Sequence, residues 1–275
     1  MKNMESAVAE HYGRAGLLAR ILEGLEANGA DPNHLRPEDL APVDEFHIGG
    51  RTATEYAVAK MSLRGDGHVL DVGCGIGGAA RYIAAQVGCR VSGIDLTPEY
   101  IEVARALTER TGLGDKVDFE VASALAMPFE DQAFDAAITL HVAMNIRDRE
   151  SLYGEIARVT KPGAILCIYD VMRKSDEALA FPVPWAESNQ TSHLTTPEET
   201  RALLGGAGFE VHDVEDRTDI ALEFFRQSLA AAADGPPPLG VHLIMGAGAP
   251  EKFRNVLINI QAGRIAPVQM IASRN

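Results

Sequence analysis

The apolar positions of the chain form two alternating patterns, short continuous runs and longer stretches with helical spacing. Short runs, each bounded by polar or turn-forming residues, lie at residues 68–72, 90–96, 117–121, 136–140, 164–170, 209–215 and 265–272. Runs of this length are typical of buried strands, and most of the stretches between them have the spacing of amphipathic helices. The alternation predicts an α/β fold with a doubly wound, mostly parallel sheet.

An N-terminal region, residues 1–62, precedes this alternation. Leu17, Ile21 and Leu25 recur there at helical spacing. We expect helices at residues 6–11, 16–28 and 52–61, with a proline-punctuated loop at residues 31–42. Together these segments predict a helical cap or lid, ahead of a main domain over residues 63–275.

A second helical region lies before the last strand. Residues 219–262 hold two helical patterns on either side of the break Asp-Gly-Pro-Pro-Pro at residues 234–238. This region therefore predicts a helical insertion between the sixth strand and the terminal one.

The most informative stretch is His-Val-Leu-Asp-Val-Gly-Cys-Gly-Ile-Gly-Gly at residues 68–78. A buried strand there leads into a turn that contains Gly73, Cys74 and Gly75, and then into a helix. Glycine lets a ligand approach the backbone closely, and the first turn of a helix offers free N–H groups. The stretch therefore predicts a nucleotide-type cofactor site.

The glycines alone do not decide which cofactor binds. Gly73, Gly75 and Gly78 satisfy G-x-G-x-x-G, which is compatible with a dinucleotide such as NAD. Asp95, at the end of the second strand, is placed to accept hydrogen bonds from ribose hydroxyls. Its alternative role is to cap the helix that begins near Pro98, although Thr97 fits that role better.

The longer pattern around the glycines favours S-adenosylmethionine (SAM). The whole stretch over residues 69–77 resembles the first motif of class I SAM-dependent methyltransferases, in which an acid before the glycines orients the amino-acid end of SAM. Asp71 has that place in this sequence. Residues 160–166, Thr-Lys-Pro-Gly-Ala-Ile-Leu, resemble the family's turn into its fifth strand.

Residues 122–135 resemble the family's next motif, from the end of the third strand into the fourth. The family's usual acid, which bonds the adenine amino group, is replaced here by Ser123, a departure that weakens this part of the resemblance. The resemblance implies an antiparallel seventh strand between the fifth and the sixth. It also implies a set of cofactor-binding residues: Asp71, Gly73, Cys74, Gly75, Asp95, Leu96, Ser123, Ala124 and Leu140.

Four residues are candidates for catalysis. His141 and Asp170 follow the fourth and fifth strands, where ligands bind in open α/β sheets. His47 lies in residues 44–51, predicted to be a surface loop, and Phe-His-Ile-Gly-Gly there resembles a stretch ahead of the first domain helix in small-molecule methyltransferases. Tyr12 resembles an N-terminal tyrosine that related enzymes place near the methyl group. Three of them have a structural alternative: His47 as a plain loop histidine, Tyr12 in cap packing, and His141 as a structural histidine bonded to the backbone.

The sole tryptophan, Trp185, lies in the proline-locked stretch Phe-Pro-Val-Pro-Trp at residues 181–185. It either walls a substrate pocket or anchors the loop.

Composition narrows the partners and the compartment. A net charge of −14 and a pI of about 5.0 argue against a nucleic acid or an anionic membrane as partner. Residues 1–10 are polar, so we expect no secretory signal, and no apolar run reaches transmembrane length. Three cysteines without ligand spacing predict neither a disulfide framework nor a metal site and fit a cytoplasmic location. Whether the chain forms a homo-oligomer stays open.

The resemblance is closest to the small-molecule branch that includes sarcosine/dimethylglycine and quinone-type methyltransferases. It implies direct displacement of the SAM methyl group by an N or O nucleophile of a small-molecule acceptor, with S-adenosylhomocysteine (SAH) as product. Two alternatives stay open. One is a protein of this fold that binds a ligand or catalyses a non-methylating step. The other is an NAD-dependent oxidoreductase. Short-chain dehydrogenases carry a Tyr-x-x-x-Lys motif after the glycine loop, whereas the match at Tyr56 and Lys60 precedes the loop, which argues against this alternative.

Overall fold

The computed structural model describes Glu5, residues 16–231 and residues 235–275. Within these residues, the strands are β1 (His68–Val72), β2 (Arg90–Asp95), β3 (Val117–Val121), β4 (Phe134–Leu140), β5 (Thr160–Arg173), β6 (Phe209–Asp216) and β7 (Ile265–Arg274). The α-helices are α1 (Leu17–Ala27), α2 (Pro37–Asp44), α3 (Gly50–Met61), α4 (Gly78–Gln86), α5 (Pro98–Arg110), α6 (Arg149–Val159), α7 (Pro197–Gly206), α8 (Thr218–Ala231), α9 (His242–Met245) and α10 (Ala249–Gln261). Short 3₁₀ turns occur at Ala143–Asn145 and Gly246–Gly248.

The strands of the described chain form one seven-stranded sheet in the order β3-β2-β1-β4-β5-β7-β6. All neighbours are parallel except β7, which runs antiparallel between β5 and β6. The predicted doubly wound fold and the position of the last strand are therefore confirmed. The strand order reverses between β1 and β4, and ligands bind beyond the carboxyl ends of the strands at such a point.

Helices bury the sheet on both faces. Leu70 and Leu166 point into a cluster with α6 and α7, whereas Val69 and Ile138 pack on the opposite face with α3, α4 and α5. Successive strand residues alternate between the faces, so strands covered on both sides must be apolar almost throughout. Each such side chain contributes about 1.5–3 kcal/mol when it is fully buried. This explains why short apolar runs predicted the strands well.

The predicted loop at residues 31–42 is wrong in its second half, because α2 begins at Pro37. Proline is well suited to the first helical position, since its φ is already helical and no N–H is lost. The Asp39 carboxylate accepts a hydrogen bond from the Arg36 backbone N–H at 2.9 Å, which fixes the first turn. Sequence analysis treated the prolines only as breakers and so missed the helix.

The prediction that residues 44–51 form a surface loop is also wrong. The side chains of Asp44, Glu45 and His47 are buried, and α3 already begins at Gly50. Arg81 of α4, itself buried, donates to Asp44 at 2.5 Å. A β-carbon at Gly78 would lie 2.6 Å from the Asp44 carbonyl oxygen, so the two helix ends are in close contact. The charged pair and this contact turn the segment inward.

The insertion between β6 and β7 packs against the N-terminal helices. Leu239 and Ile244 share an apolar cluster with Leu17 and Ile21 of α1. A β-carbon at Gly24 would lie 2.6 Å from the Pro238 carbonyl oxygen, so only glycine allows this approach. The N-terminal helices and the insertion thus pack together, in a cluster that also includes Tyr100, Val103 and Leu107 of α5. None of the described helices combines the length and the apolar character needed to cross a membrane.

Candidate active site

A cavity of about 520 Å³ lies above the carboxyl ends of β1, β2 and β4. All nine residues predicted to bind the cofactor line it: Asp71, Gly73, Cys74, Gly75, Asp95, Leu96, Ser123, Ala124 and Leu140. We call this part of the cavity the glycine-loop end. The opposite part, the aromatic end, is lined by Ile48, Met144, Trp185, Phe224, Phe225, Phe253 and Val256.

Backbone hydrogen bonds hold the glycine loop open toward the cavity. The N–H groups of Gly73 and Cys74 both donate to the Ile94 carbonyl, at 2.8 and 2.9 Å. Gly75 has φ +54°, and a β-carbon there would meet no atom within 4 Å. The loop therefore presents bare backbone to open space, which suits a ligand that lies against the main chain.

Asp71, at the end of β1, is buried and only 2% exposed. Its Oδ2 has no hydrogen-bond partner among the described residues. Burial, with smaller contributions from Asp95 and Glu45, raises its pKa to about 7. An orphaned carboxylate oxygen at a cavity wall is costly unless a ligand supplies a cation or donor. The residue thus fits the ammonium group of SAM.

The two carboxylate oxygens of Asp95 bond different backbone groups. Oδ2 accepts from the Gly75 N–H at 3.0 Å, and Oδ1 accepts from the Thr97 N–H at 2.8 Å. Thr97 is the N-cap residue of α5. Asp95 therefore connects the glycine loop to the start of α5 and also lines the cavity. A carboxylate that lines the cavity can accept hydrogen bonds from hydroxyl groups of a ligand bound there.

Ser123 joins the end of β3 to the N-terminal segment. Its hydroxyl donates to the Glu5 carboxylate and accepts from the Leu125 N–H at 3.0 Å. Glu5 also lines the cavity. The hydroxyl that replaces the family's acid is thus already hydrogen-bonded, and a carboxylate stands beside it. Sequence analysis missed Glu5, because nothing near it in the sequence indicates a site.

His141 follows β4 with a backbone φ of +56°, a conformation uncommon outside glycine. Its N–H donates to the Tyr169 carbonyl at 2.7 Å. The ring lies 5.1 Å from the Tyr169 ring and 5.9 Å from the His47 ring, centroid to centroid. The buried Nε2 has no partner in the described chain. Burial lowers the pKa of His141 well below its usual value, so the imidazole is neutral.

His47 is also buried, and its burial lowers its pKa to about 4. Its Nε2 lies 3.1 Å from the Thr54 hydroxyl. The Glu45 carboxylate is 3.7 Å away but is occupied by Arg51 at 2.6 Å and by the Thr54 hydroxyl at 2.7 Å. Two neutral imidazoles from distant parts of the chain therefore stand together at the cavity wall.

The prediction that Asp170 faces the pocket is wrong. Asp170 is buried but does not line the cavity, because β5 continues to Arg173 and Asp170 therefore lies inside the strand and not at its end. Its carboxylate lies 3.7 Å from Arg149 of α6 and accepts backbone hydrogen bonds from the turn after β4. Asp170 thus supports the turn that carries Met144.

Other predicted residues have plain outcomes. Tyr12 lies outside the described residues. Trp185 does both things proposed for it, since it lines the cavity and its indole N–H donates to the Ser192 hydroxyl at 3.0 Å. The described residues contain no group of three or more His, Cys, Asp or Glu side chains that could hold a metal ion. Cys74, Cys89 and Cys167 are buried and free.

The sequence is similar to those of several known methyltransferases. Residues 70–168 match the family described as a methyltransferase domain. The O-methyltransferase resE of Aspergillus sclerotiorum is 32% identical over 186 residues, which cover 66% of this chain and 69% of resE. The methyltransferase GfsG of Streptomyces halstedii is 29% identical over 181 residues, and the match spans 65% of each chain, just under two thirds of GfsG.

Two solved structures share the fold along almost the whole chain. The geranyl diphosphate C-methyltransferase of Streptomyces coelicolor A3(2) has a TM-score of 0.72 at 16% identity, covering 100% of this chain and 98% of the other. The [4+2]-cyclase SpnF has a TM-score of 0.69 at 22% identity, covering 99% and 97%.

The fold, the glycine loop and the relatives together define the class. The chain belongs to the SAM-dependent methyltransferases. SAM is therefore the cofactor of the family, and the NAD alternative is wrong.

Proposed function

We propose that the protein methylates a hydroxyl group of a small-molecule acceptor, with SAM as the methyl donor and His141 as the proton acceptor. The observation that carries this proposal is the buried, unpartnered Nε2 of His141 at the wall of the cavity. The residue stands just beyond β4, beside the predicted cofactor residue Leu140.

The need for a base depends on the nucleophile. The bound sulfonium carries the driving force for methyl transfer, so the chain mainly aligns the acceptor and excludes water. An amine attacks when it is neutral, whereas a hydroxyl must lose its proton during or before attack. His141 is neutral because burial lowers its pKa, so in the tautomer with its proton on Nδ1 the Nε2 lone pair can accept the hydroxyl proton. The positive charge that forms on the ring replaces the charge that the sulfonium loses on methyl transfer. Two neutral imidazoles at this wall favour an oxygen nucleophile over an amine.

The glycine-loop end holds the cofactor. Asp71 pairs with the SAM ammonium through its free oxygen, and Asp95 accepts hydrogen bonds from the ribose. Ser123 and Ala124 border the adenine. The positions of these residues around one cavity support the assignment.

Residues 1–62 act as a cap over this site in our proposal. Glu45, His47 and Ile48 from this region line the cavity, and Asp44 is tied to the α4 residue Arg81. A cap of this kind orders when both ligands are present. Hydrogen exchange over residues 16–61 is expected to slow with SAH and acceptor together, and exchange that ignores ligands would contradict the cap role.

The test is mass detection of SAH in reactions of the protein with SAM and a panel of acceptors. Hydroxyl compounds are expected to yield SAH together with a product heavier by one methylene unit, and matched amines are expected to react much less. If acceptors were converted without SAH formation, a non-methylating reaction would replace the proposal; the fold of the cyclase SpnF shows that this architecture is compatible with one.

A further inference from the structure

The aromatic end of the cavity belongs to one continuous apolar cluster. Of its lining residues, Ile48, Met144, Trp185, Phe225 and Val256 are buried members of this cluster, and Phe224 and Phe253 pack against them. They come from the cap, the turn after β4, the stretch before α7 and the insertion. Four aromatic rings and three aliphatic side chains offer a large apolar contact surface.

The charges around the cavity are strongly unequal. Of the described lining residues, Arg147 is the single lysine or arginine, and it is exposed. The acids that line the cavity are Glu5, Asp44, Glu45, Asp71, Asp95 and Asp148. Lys252 in α10 is buried near the aromatic end, but its ammonium is paired with Glu187 at 2.6 Å. His47 and His141 are neutral.

From these two observations, we propose that the acceptor is an uncharged, mainly apolar molecule whose hydroxyl lies at the histidine side of the cavity, the wall formed by His47 and His141. The site would reject phosphorylated or sulfated forms of such molecules. The inference rests on the proposed function, because it concerns the acceptor of that same reaction. A phosphate buried at the aromatic end would lose its water, and the one cation of the described lining, Arg147, is exposed, whereas six acids line the cavity and would repel the phosphate.

Magnesium could in principle join a diphosphate to carboxylates. The geranyl diphosphate C-methyltransferase with this fold was solved with Mg²⁺ and geranyl diphosphate. Here, however, the acids of the cavity are otherwise engaged or displaced from the aromatic end. Asp71 and Asp95 stand at the glycine-loop end, and Glu5 is bonded to Ser123. Asp44 is paired with Arg81, Glu45 with Arg51, and Asp148 accepts hydrogen bonds from Ser151 at the start of α6. The test below therefore includes the metal.

Trp185 gives a direct measurement. It is the only tryptophan of the chain and is 3% exposed at the aromatic end. Excitation at a wavelength selective for tryptophan therefore reports ligand entry there. The probes are two matched pairs, geraniol with geranyl diphosphate and estrone with estrone 3-sulfate. Each pair shares a hydrocarbon skeleton and differs in charge. Titrations use the SAH-saturated protein, with and without MgCl₂, and calorimetry of SAH itself is run first.

At least one uncharged probe is expected to change the Trp185 signal, and its charged counterpart is expected to bind at least about tenfold more weakly, with or without Mg²⁺, a difference of about 1.4 kcal/mol. Equal or tighter binding of the charged member of either pair would overturn the inference. The inference would also be overturned if neither uncharged probe changed the Trp185 fluorescence of a protein that binds SAH. Failure to bind SAH would instead remove the proposed function.

Two substitutions in α10 provide a matched comparison. Phe253 and Leu257 are both half-buried and pack on the same cluster, but of the two only Phe253 lines the cavity. Phe253→Ala is expected to weaken binding of the uncharged probe about tenfold, and Leu257→Ala is expected to leave it unchanged. Equal effects would mean that the probe senses the packing of the cluster instead of the cavity. The Trp185→Phe protein, followed by calorimetry, identifies the source of the fluorescence signal.

Discussion

The two ends of the cavity are built in opposite ways. The glycine-loop end comes from short segments directly after β1, β2 and β3. The groups that it presents to the cavity are backbone groups and carboxylates such as those of Asp71 and Asp95. The aromatic end comes from the cap, a proline-rich stretch and the insertion, which meet only in the folded chain. Its lining is apolar and contains Trp185 and Phe225.

This difference separates two tasks. The cofactor is charged and the same throughout the family, so one arrangement of acids and glycines at the ends of the sheet can serve it. The acceptor varies between relatives, and side chains on loops and insertions can change without disturbing the sheet. Substitutions that block the glycine-loop end should therefore abolish every reaction. Substitutions at the aromatic end should instead change which acceptor is used.

The largest expected effect is at the glycine loop. Gly75→Val places a branched side chain in the open space beside the loop, where the cofactor must lie. We expect loss of SAH binding by at least about 100-fold in calorimetry. The positive φ of Gly75 also adds strain, at about 1–3 kcal/mol.

Gly112→Val controls for that strain. Gly112 has φ +69° and free space around its Cα, but it is exposed and does not line the cavity. The two variants should lose similar melting temperature, and only Gly75→Val should lose SAH. Normal SAH binding by Gly75→Val would show that the loop is misplaced in our assignment.

The next effect concerns the histidine side of the cavity. His141→Asn keeps a residue type that tolerates positive φ and removes the imidazole. The kcat with a hydroxyl acceptor should fall by about 10²–10⁴, while SAH affinity changes little. His68→Asn is the control, because His68 begins β1 and contacts Ser92 at 2.8 Å, away from the cavity. An unchanged kcat in His141→Asn would remove His141 as the base.

The features that the sequence predicted correctly follow the same division, between elements built from local sequence and surfaces built from distant segments. The sheet was predictable because strands buried on both faces must be apolar runs, as in β1 and β4. The lining of the glycine-loop end was predictable because Asp71, Gly73 and Gly75 lie within one short motif. Their side chains and backbone act within a single strand-turn-helix unit, so local spacing was enough.

The features that the sequence did not predict depend on contacts between distant segments of the chain. His47 and His141 lie far apart in the chain and meet only because α3 packs on the sheet. Asp170 was misassigned because the apolar run suggested that the strand ends there, whereas β5 continues to Arg173. Glu45 and Tyr169 carried no motif. The inward turn of residues 44–51 depends on the Asp44–Arg81 pair, which no local pattern indicates.

Asp95 gives a smaller effect and a choice between two roles. Asp95→Ala should weaken SAM binding by about 10- to 100-fold, because hydrogen bonds to a charged acceptor contribute about 1.5–3 kcal/mol. Asp95→Asn keeps the shape and should lose less. If Asp95 only supports the start of α5, the alanine variant would lose melting temperature and keep its SAM affinity. Thr196→Ala, which removes the N-cap of α7 far from the cofactor residues, calibrates that outcome.

The smallest effect is a pH dependence that arises from Asp71, whose pKa burial raises to about 7. The SAM ammonium pairs with the carboxylate and not with the protonated acid. Affinity for SAM should therefore fall as the pH drops, by about tenfold between pH 8 and pH 6. Calorimetry at several pH values measures this, and Asp71→Asn should bind weakly with a flat profile.

The stability of the ligand-free protein should change with pH in the direction opposite to the affinity for SAM. Because the folded pKa of Asp71 lies above the ordinary value of 3.8, its contribution to the ligand-free protein is complete below pH 3.8 and is lost as the pH rises through 7. His47 works oppositely, but its pKa of about 4 places its effect between pH 6.5 and pH 4, outside this window. The rise in melting temperature on adding SAM should thus be larger at pH 8 than at pH 6. Equal rises at both pH values, or the same slope in Asp71→Asn, would show that another group binds the ammonium.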